Sequence, residues 1–336
     1  MENKKILVLG ATGAMAVYLI PELVSRGYLV DGVSLDDVNS ELEGVRYIKA
    51  NAKDVGFVTD ILKNGYDAVV DFMIYNSAED FNNYYKLYLE NTKHYIFLST
   101  YRVYADDSPL HEGALRILDS ELPEDFVKDR EYSIYKALGE NMLRSSDYKN
   151  YTIIRPAITY SKRRFQLTTL EANVLIYRML KGKTVVLPEG AMDKQATMSW
   201  AGDVAKMIAG IVLNEKAYCE TYNVATAEHM TWREVAEIYR EIGGLKYITA
   251  PNNTYADMIS PNNPWVRQQL EYDRCFNRIV DNSKILALCG MKQSDLMTLH
   301  DGLAKEFAGI TLETCGYQEE TNARMDEYLE SIGIKE

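Results

Sequence analysis

From Ile6 to Leu9 the chain is wholly apolar, Gly10 follows, and apolar residues then recur at helical spacing from about Ala14 to Arg26. A short continuous apolar run fits a strand buried on both faces, and a glycine at its end allows a sharp turn. The pattern repeats, with strands predicted near Leu29–Ser34, Val45–Lys49, Asp67–Phe72, Tyr95–Ser99 and Tyr151–Ile154. Helices are predicted between them at Asp54–Asn64, Glu79–Asn91 and Glu131–Ser146. Such alternation predicts a parallel sheet with right-handed crossovers, hence an α/β, doubly wound fold.

Beyond about residue 161 the regularity weakens. Helices are expected at Thr168–Leu180, Gly202–Asn214, Thr231–Ile242 and His300–Phe307. Thr231-Trp232-Arg233-Glu234 has capping-box spacing, which fixes one helix start. The Pro- and Asn-rich stretch Pro251–Pro264 reads as a loop. The expected organisation is a dinucleotide-binding domain over 1–162, with 196–228 returning to it, and a smaller mixed α/β C-terminal substrate domain over the rest of 163–336. Gly182-Lys183-Thr184 ends like a P-loop, but that motif needs glycine where Tyr177 stands.

With 47% hydrophobic residues the chain of 336 can build a real core, and its net charge of −12 opposes nucleic acid or an anionic membrane as partner. No apolar run approaches the ~18 residues of a membrane span, and a cytoplasmic location is expected. Cys219, Cys275, Cys289 and Cys315 form no CxxC pair, and the four histidines show no metal-ligand spacing, so no metal is expected.

The chemistry lies at the ends of the predicted strands. Gly10-Ala11-Thr12-Gly13-Ala14-Met15-Ala16 has the spacing of a dinucleotide cradle: Gly10 turns the chain, Gly13 admits a pyrophosphate to the backbone, and Ala16 allows close helix packing. Tyr132 and Lys136 lie four apart and share one face of a helix. An ammonium beside a phenol favours the phenolate, and moving a phenol from ~10 to ~7 takes roughly 4 kcal/mol, within reach of Lys and an oxidised nicotinamide together. A second Tyr-x-x-x-Lys, Tyr177 to Lys181, lies past the last regular crossover. Thr100 leaves a strand at the rim where ligands of such sheets bind.

Five segments in order resemble the extended short-chain dehydrogenase/reductases, within them the NAD-dependent nucleotide-sugar epimerase/dehydratase family with its Rossmann fold. They are Gly10–Ala16, Ser99-Thr100-Tyr101-Arg102-Val103-Tyr104, Tyr132-Ser133-Ile134-Tyr135-Lys136 with Glu140, Arg155-Pro156, and Asp203-Val204-Ala205 leading to Tyr222-Asn223-Val224. The resemblance implies Tyr132 as general acid/base, Lys136 as ribose ligand and phenol modulator, and Thr100 as the hydroxyl that orients substrate. It implies NAD contacts from Gly10, Ala11, Thr12, Gly13, Ala14, Met15, Ser34, Asp36, Asn51, Ala52, Phe72, Met73, Ser99, Lys136 and Pro156. NAD is expected because Asp36 and Asp37 follow Ser34 with no cation adjoining for a 2′-phosphate, with NADP the alternative. A sugar or nucleotide-sugar substrate is implied, and a homodimer through Glu79–Asn91 and Glu131–Ser146.

Departures from the family narrow the reaction. Tyr101-Arg102 stand where the dehydratases carry an Asp-Glu pair, which disfavours dehydration. Ile158 and Ala196 replace an Asn and an Arg that contact the nucleotide sugar in many members. Lys162-Arg163-Arg164 offer replacement cations, so Arg163, Arg164 and Tyr101 are the expected substrate contacts. The interval from Thr100 to Tyr132 implies an inserted loop. The alternative is a non-catalytic nucleotide or RNA binder, because Asp71-Phe72-Met73-Ile74-Tyr75 resembles the chloroplast stem-loop RNA-binding branch.

Overall fold

In the computed structural model, which describes residues 4–75, 77–105, 107, 109–121 and 132–335, the apolar run forms β1 (Lys5–Leu9) at the centre of a sheet. Around it lie β2 (Leu29–Ser34), β3 (Val45–Lys49), β4 (Ala68–Asp71), β5 (His94–Leu98) and β6 (Tyr151–Arg155). The seven-stranded order is Glu220–Asn223, β6, β5, β4, β1, β2, β3, and every pairing is parallel. The order in which successive strands are added reverses between β1 and β4, where such folds open a crevice.

Alternate side chains of β1 enter different cores. Ile6 and Val8 join α1 (Ala16–Ser25) and the Ala201–Ile211 helix on one face, whereas Leu7 and Leu9 join α2 (Val55–Leu62) and Tyr85–Asn91 on the other. This is the doubly wound arrangement read from the sequence. The strand Glu220–Asn223, from the stretch expected to return, pairs with β6.

A hydrogen-bonded relay ties that return to the sheet. The Leu213 N–H donates to His94 Nδ1 at 3.0 Å, so the proton sits on Nε2, which meets Thr152 Oγ1 at 2.8 Å; that hydroxyl donates to Ala217 O. Burial pushes the His94 imidazole down to about 3.

Three expected elements differ. The expected Thr168–Leu180 helix is a hairpin, Gln166–Leu167 with Leu170–Glu171, followed by a helix only at Leu175–Leu180. Thr168 turns the hairpin at φ 53, in the left-handed region, which breaks a helix there. The expected Pro251–Pro264 loop contains a helix, Asn252–Ile259, with Tyr255, Ala256, Met258 and Ile259 buried; proline just ahead of a helix start does not oppose it. The expected Glu79–Asn91 helix is two, Ala78–Asn82 and Tyr85–Asn91. Glu131, expected to start a helix, lies outside the described residues, as does much of the expected inserted loop. The capping box at Thr231 is present, with the helix running Trp232–Gly243.

Candidate active site

At the carboxyl rim of the sheet Gly10 turns at φ +75, and its N–H bonds Val33 O at 3.0 Å. Gly13 is exposed, and a Cβ built on it would stand 3.2 Å from Gly10 O, so glycine keeps this approach open. Met15 provides no side-chain cap for α1, so no side chain competes with an anion at that helix start. Ala11 points into the core, and its methyl fills the space that a side chain at Gly32 would need. A cradle of backbone with no Cβ in the way fits a pyrophosphate.

This cradle is one end of a cleft of about 990 Å³. Of the expected cofactor contacts, Gly10, Thr12, Gly13, Ala14, Met15, Ser34, Asp36, Asn51, Ala52, Phe72, Met73, Ser99 and Pro156 line it; Ala11 and Lys136 do not. The Thr12 and Ser34 hydroxyls bond at 2.7 Å, and Ser34 also caps the Asp36 N–H at 3.0 Å. The sequence placed no cation at the end of β2, but Lys53 lines the same wall and Lys49 pairs with Asp37 at 3.3 Å. Lys53 lies distant along the chain from Ser34, and only the pairing of β2 with β3 brings it near.

Thr100 and Tyr132 both line the cleft. Thr100 Oγ1 accepts the Arg102 N–H at 3.2 Å, a cap that fixes the hydroxyl at the strand end. Tyr132 begins the Tyr132–Arg144 helix, which can lie close on β5 because Gly139 has no side chain: a Cβ there would meet the Phe97 ring at 2.9 Å. Lys136 is thereby driven under the cleft floor, where its Nζ donates to Leu98 O at 2.6 Å and Met73 O at 3.3 Å. The ammonium stands 5.7 Å from the Tyr132 ring centre, and burial pushes it down to about 8, opposed by the Asp71 charge.

The helix is locked to the sheet by Glu140. Arg155 donates to its two oxygens at 2.8 and 2.6 Å, and Ser99 Oγ donates at 2.6 Å. Burial alone would raise the Glu140 carboxyl, but these bonds and the Arg155 charge hold it below its ordinary value. Ser99 is therefore a structural anchor as well as a wall of the cleft.

The far end of the cleft is the part that sequence reasoning largely missed. Arg164 lines it, whereas Arg163 is exposed and outside it. Tyr101 also lines it, its hydroxyl between Asp273 Oδ2 at 3.3 Å and Arg274 Nη1 at 3.1 Å. Asp273 is fully buried and additionally pairs with Arg102 at 3.5 Å, with Arg278 at 2.9 Å and with Arg274. Arg274, Gln269 and Trp265 line the cleft from 265–274, a short helix that runs into a π-helical turn, Leu270–Arg274. Burial, with the Arg102 and Arg164 charges adding, pulls the Arg274 guanidinium below its ordinary value. Arg164 and Tyr101 were expected as substrate contacts, and Arg102 was noted only as standing where the dehydratases carry an acid; Trp265, Gln269 and Arg274 were not foreseen.

Residues 6–225 match the model of the NAD dependent epimerase/dehydratase family. The chain belongs to that family. A chloroplast stem-loop binding protein of 41 kDa from Arabidopsis thaliana is 24% identical over 258 residues, which cover 72% of this chain and 64% of that protein. Among solved structures, an epimerase from Methanothermobacter thermautotrophicus is similar with TM-score 0.68 at 14% identity, covering 98% of this chain and 94% of the other. The UDP-glucose 4-epimerase of Thermus thermophilus in complex with NAD gives TM-score 0.65 at 19% identity, covering 91% and 100%. That of Thermotoga maritima with UDP-glucose gives 0.65 at 18%, covering 90% and 97%. These structural likenesses concern the fold. Among the described residues of this epimerase/dehydratase family member, no helix is long and apolar enough to cross a membrane.

Proposed function

We propose that the protein is an NAD(P)-dependent epimerase or reductase acting at a secondary alcohol or ketone of a sugar or nucleotide sugar. The observation that carries this reading is the convergence of Thr100, Tyr132 and the glycine cradle on one cleft, with the Lys136 ammonium beneath the phenol. Gly10, Thr12, Gly13 and Met15 would hold the pyrophosphate of NAD, Ser34 and Asp36 the adenosine ribose, and Asn51 and Ala52 the adenine. Bound there, the nicotinamide supplies the acceptor and donor of hydride at the substrate carbon.

The chain's own part is proton transfer and positioning. Thr100 Oγ1, fixed by its cap, orients the substrate oxygen. Tyr132 takes that oxygen's proton as the ketone forms and returns it when the alcohol is restored. The Lys136 charge stabilises the phenolate through a low-dielectric gap. A ketone retained and re-presented by its other face gives an epimerase; one released gives a dehydrogenase. The domain division near residue 162 and a homodimer belong to the same proposal.

Incubation with NAD or NADPH and candidate sugar nucleotides separates these outcomes. Net change at the reduced-nicotinamide band identifies a reductase, and isomerised sugar without it identifies an epimerase. Neither product from any sugar overturns the enzymatic reading. The likeness to a chloroplast stem-loop binding protein supports a second reading, RNA binding on the same scaffold. RNA affinity that persists near physiological salt in gel-shift titrations would favour it, against the net charge of −12.

A further inference from the structure

Resting on the reading above, Lys136 acts on Tyr132 through its charge, so whatever keeps that charge belongs to the site. Lys136 is 1% exposed and stands outside the cleft wall. Its two bonds, to Leu98 O and Met73 O, need only two N–H groups, which a neutral amine also has. The carbonyls therefore fix the place of the nitrogen and not its third proton. An ammonium buried without an opposite charge gives that proton up.

The opposite charge comes from a residue that the proposed reaction does not use. Asp71, also 1% exposed, ends β4 beside Phe97 of β5, and the Lys136 Nζ lies 5.0 Å from the Phe97 ring centre. Asp71 Oδ1 accepts the Met73 N–H at 2.9 Å, and its Oδ2 accepts the Tyr95 and Tyr75 hydroxyls at 2.7 and 2.8 Å. Three donors on one carboxyl group favour its ionised form. Burial raises the carboxyl above its ordinary value, and the Met73 N–H, the Tyr95 hydroxyl, the Lys136 charge and the Tyr75 hydroxyl pull against that rise. Met73 is held at both ends, its N–H by Asp71 and its carbonyl by Lys136, so the carboxylate also fixes the turn on which the ammonium rests.

The titratable neighbours of this pair are Tyr132 and Tyr135 on the Lys136 helix, Tyr75 in the turn after β4, Tyr95 on β5 and Tyr88 on the Tyr85–Asn91 helix. The Arg102 guanidinium lies 5.7 Å from the Tyr132 ring centre. Burial holds the Tyr75, Tyr88 and Tyr95 phenols well above their ordinary value, so they stay neutral, and the negative charge belongs to Asp71.

We propose that Asp71 is a positioning residue for proton transfer: it keeps Lys136 charged and seated beneath the Tyr132 phenol.

The test follows the Lys136 titration by NMR of the full chain carrying lysine isotopically labelled at Cε, with Lys136→Met to assign the signal. In Asp71→Asn the midpoint should fall by about one pH unit or more, and Asp71→Glu should restore part of it. A role in packing alone would lower stability in both variants and leave the midpoint where it is, which would overturn the proposal. Where Asp71→Asn does not fold, the same coupling is read from the other side. In Lys136→Met the Asp71 carboxyl, followed at its Cγ, should titrate higher than in wild type by about the same amount, and an unmoved midpoint there overturns the proposal equally. With a sugar that is turned over, the alkaline limb of kcat should move down with the Lys136 midpoint in Asp71→Asn while KM stays nearly unchanged; a limb that stays in place removes Asp71 from proton transfer. A wild type that turns over no sugar counts instead against the enzymatic reading, and the NMR midpoints still decide whether Asp71 sets the charge on Lys136.

Discussion

Two clusters of arginines and carboxylates adjoin the candidate site, and they differ in whether they face the cleft. Around Glu140, Arg155 is fully buried and bidentate, whereas Arg144 reaches solvent and Arg116 has a second carboxylate in Asp119. Water and Asp119 absorb that excess charge, and neither Glu140 nor Arg155 lines the cleft. Around Asp273, Arg274 and Arg278 are buried, and Arg102 and Arg274 line the cleft. Similar chemistry therefore stands in two places: the first cluster joins helix to sheet, and the second forms part of the cleft wall.

In the proposed reaction, proton transfer occurs where the second cluster meets Tyr132, whose ring centre lies 5.7 Å from the Arg102 guanidinium. Tyr132→Phe should lower turnover by roughly 10²–10⁴-fold while leaving NAD affinity and the melting curve nearly unchanged. An unaltered rate would remove the phenol from the mechanism and the second cluster from the active site. The next largest effect falls on the first cluster. Glu140→Gln should destabilise the fold by about 3–5 kcal/mol in urea unfolding, because Arg155 is left buried without its partner. The depressed Glu140 carboxyl adds a sign: its contribution is present above the ordinary carboxylate value of about 4.3 and lost as pH falls through its lower folded value. The acid limb of stability should therefore be shallower in Glu140→Gln.

Lys136 sharpens the contrast between stability and function. Its folded value of about 8 lies below that of an unfolded lysine, near 10.4, so the unfolded chain holds the extra proton between them. Relative to Lys136→Met, wild type should gain stability by up to about 3 kcal/mol as pH rises across that window, while turnover falls above about 8. A parallel pair of stability curves would mean that the ammonium is not desolvated. The smallest effect is expected at Arg102. Arg102→Gln should change unfolding free energy by no more than about 1 kcal/mol, since its pair with Asp273 is long, at 3.5 Å, and its side chain keeps some exposure; a loss as large as that at Glu140 would make the two clusters equivalent.

The halves of the molecule were unequally legible. Residues 4–16 state their structure locally: an apolar run, a glycine turn and a small residue against the sheet, each dictated by near neighbours. That Tyr132 and Thr100 reach the same cleft was legible because one starts a helix and the other follows the end of a strand at that rim. The burial of Lys136 beneath the floor was not, since it depends on how closely Gly139 lets the helix approach Phe97. Arg274 and Gln269 gave no local signal: Arg274 reaches Tyr101 across 173 positions of sequence. Thr168 misled in the opposite way, its apolar flanks suggesting a helix that a positive φ forbids.

The wiring of His94 reaches beyond the site. Because Nδ1 must accept from Leu213 while Nε2 serves Thr152, a second proton on the ring would turn one of these contacts into donor against donor. Below pH 6.5 the unfolded chain takes up that proton and the folded one resists it down to about 3, at roughly 1.4 kcal/mol per pH unit. The imidazole is an acid-labile latch on the segment that carries the chain back to the sheet's outermost strand. Mild acid should loosen that edge before the nucleotide cradle, making amide exchange around 211–223 the earliest sign of distress.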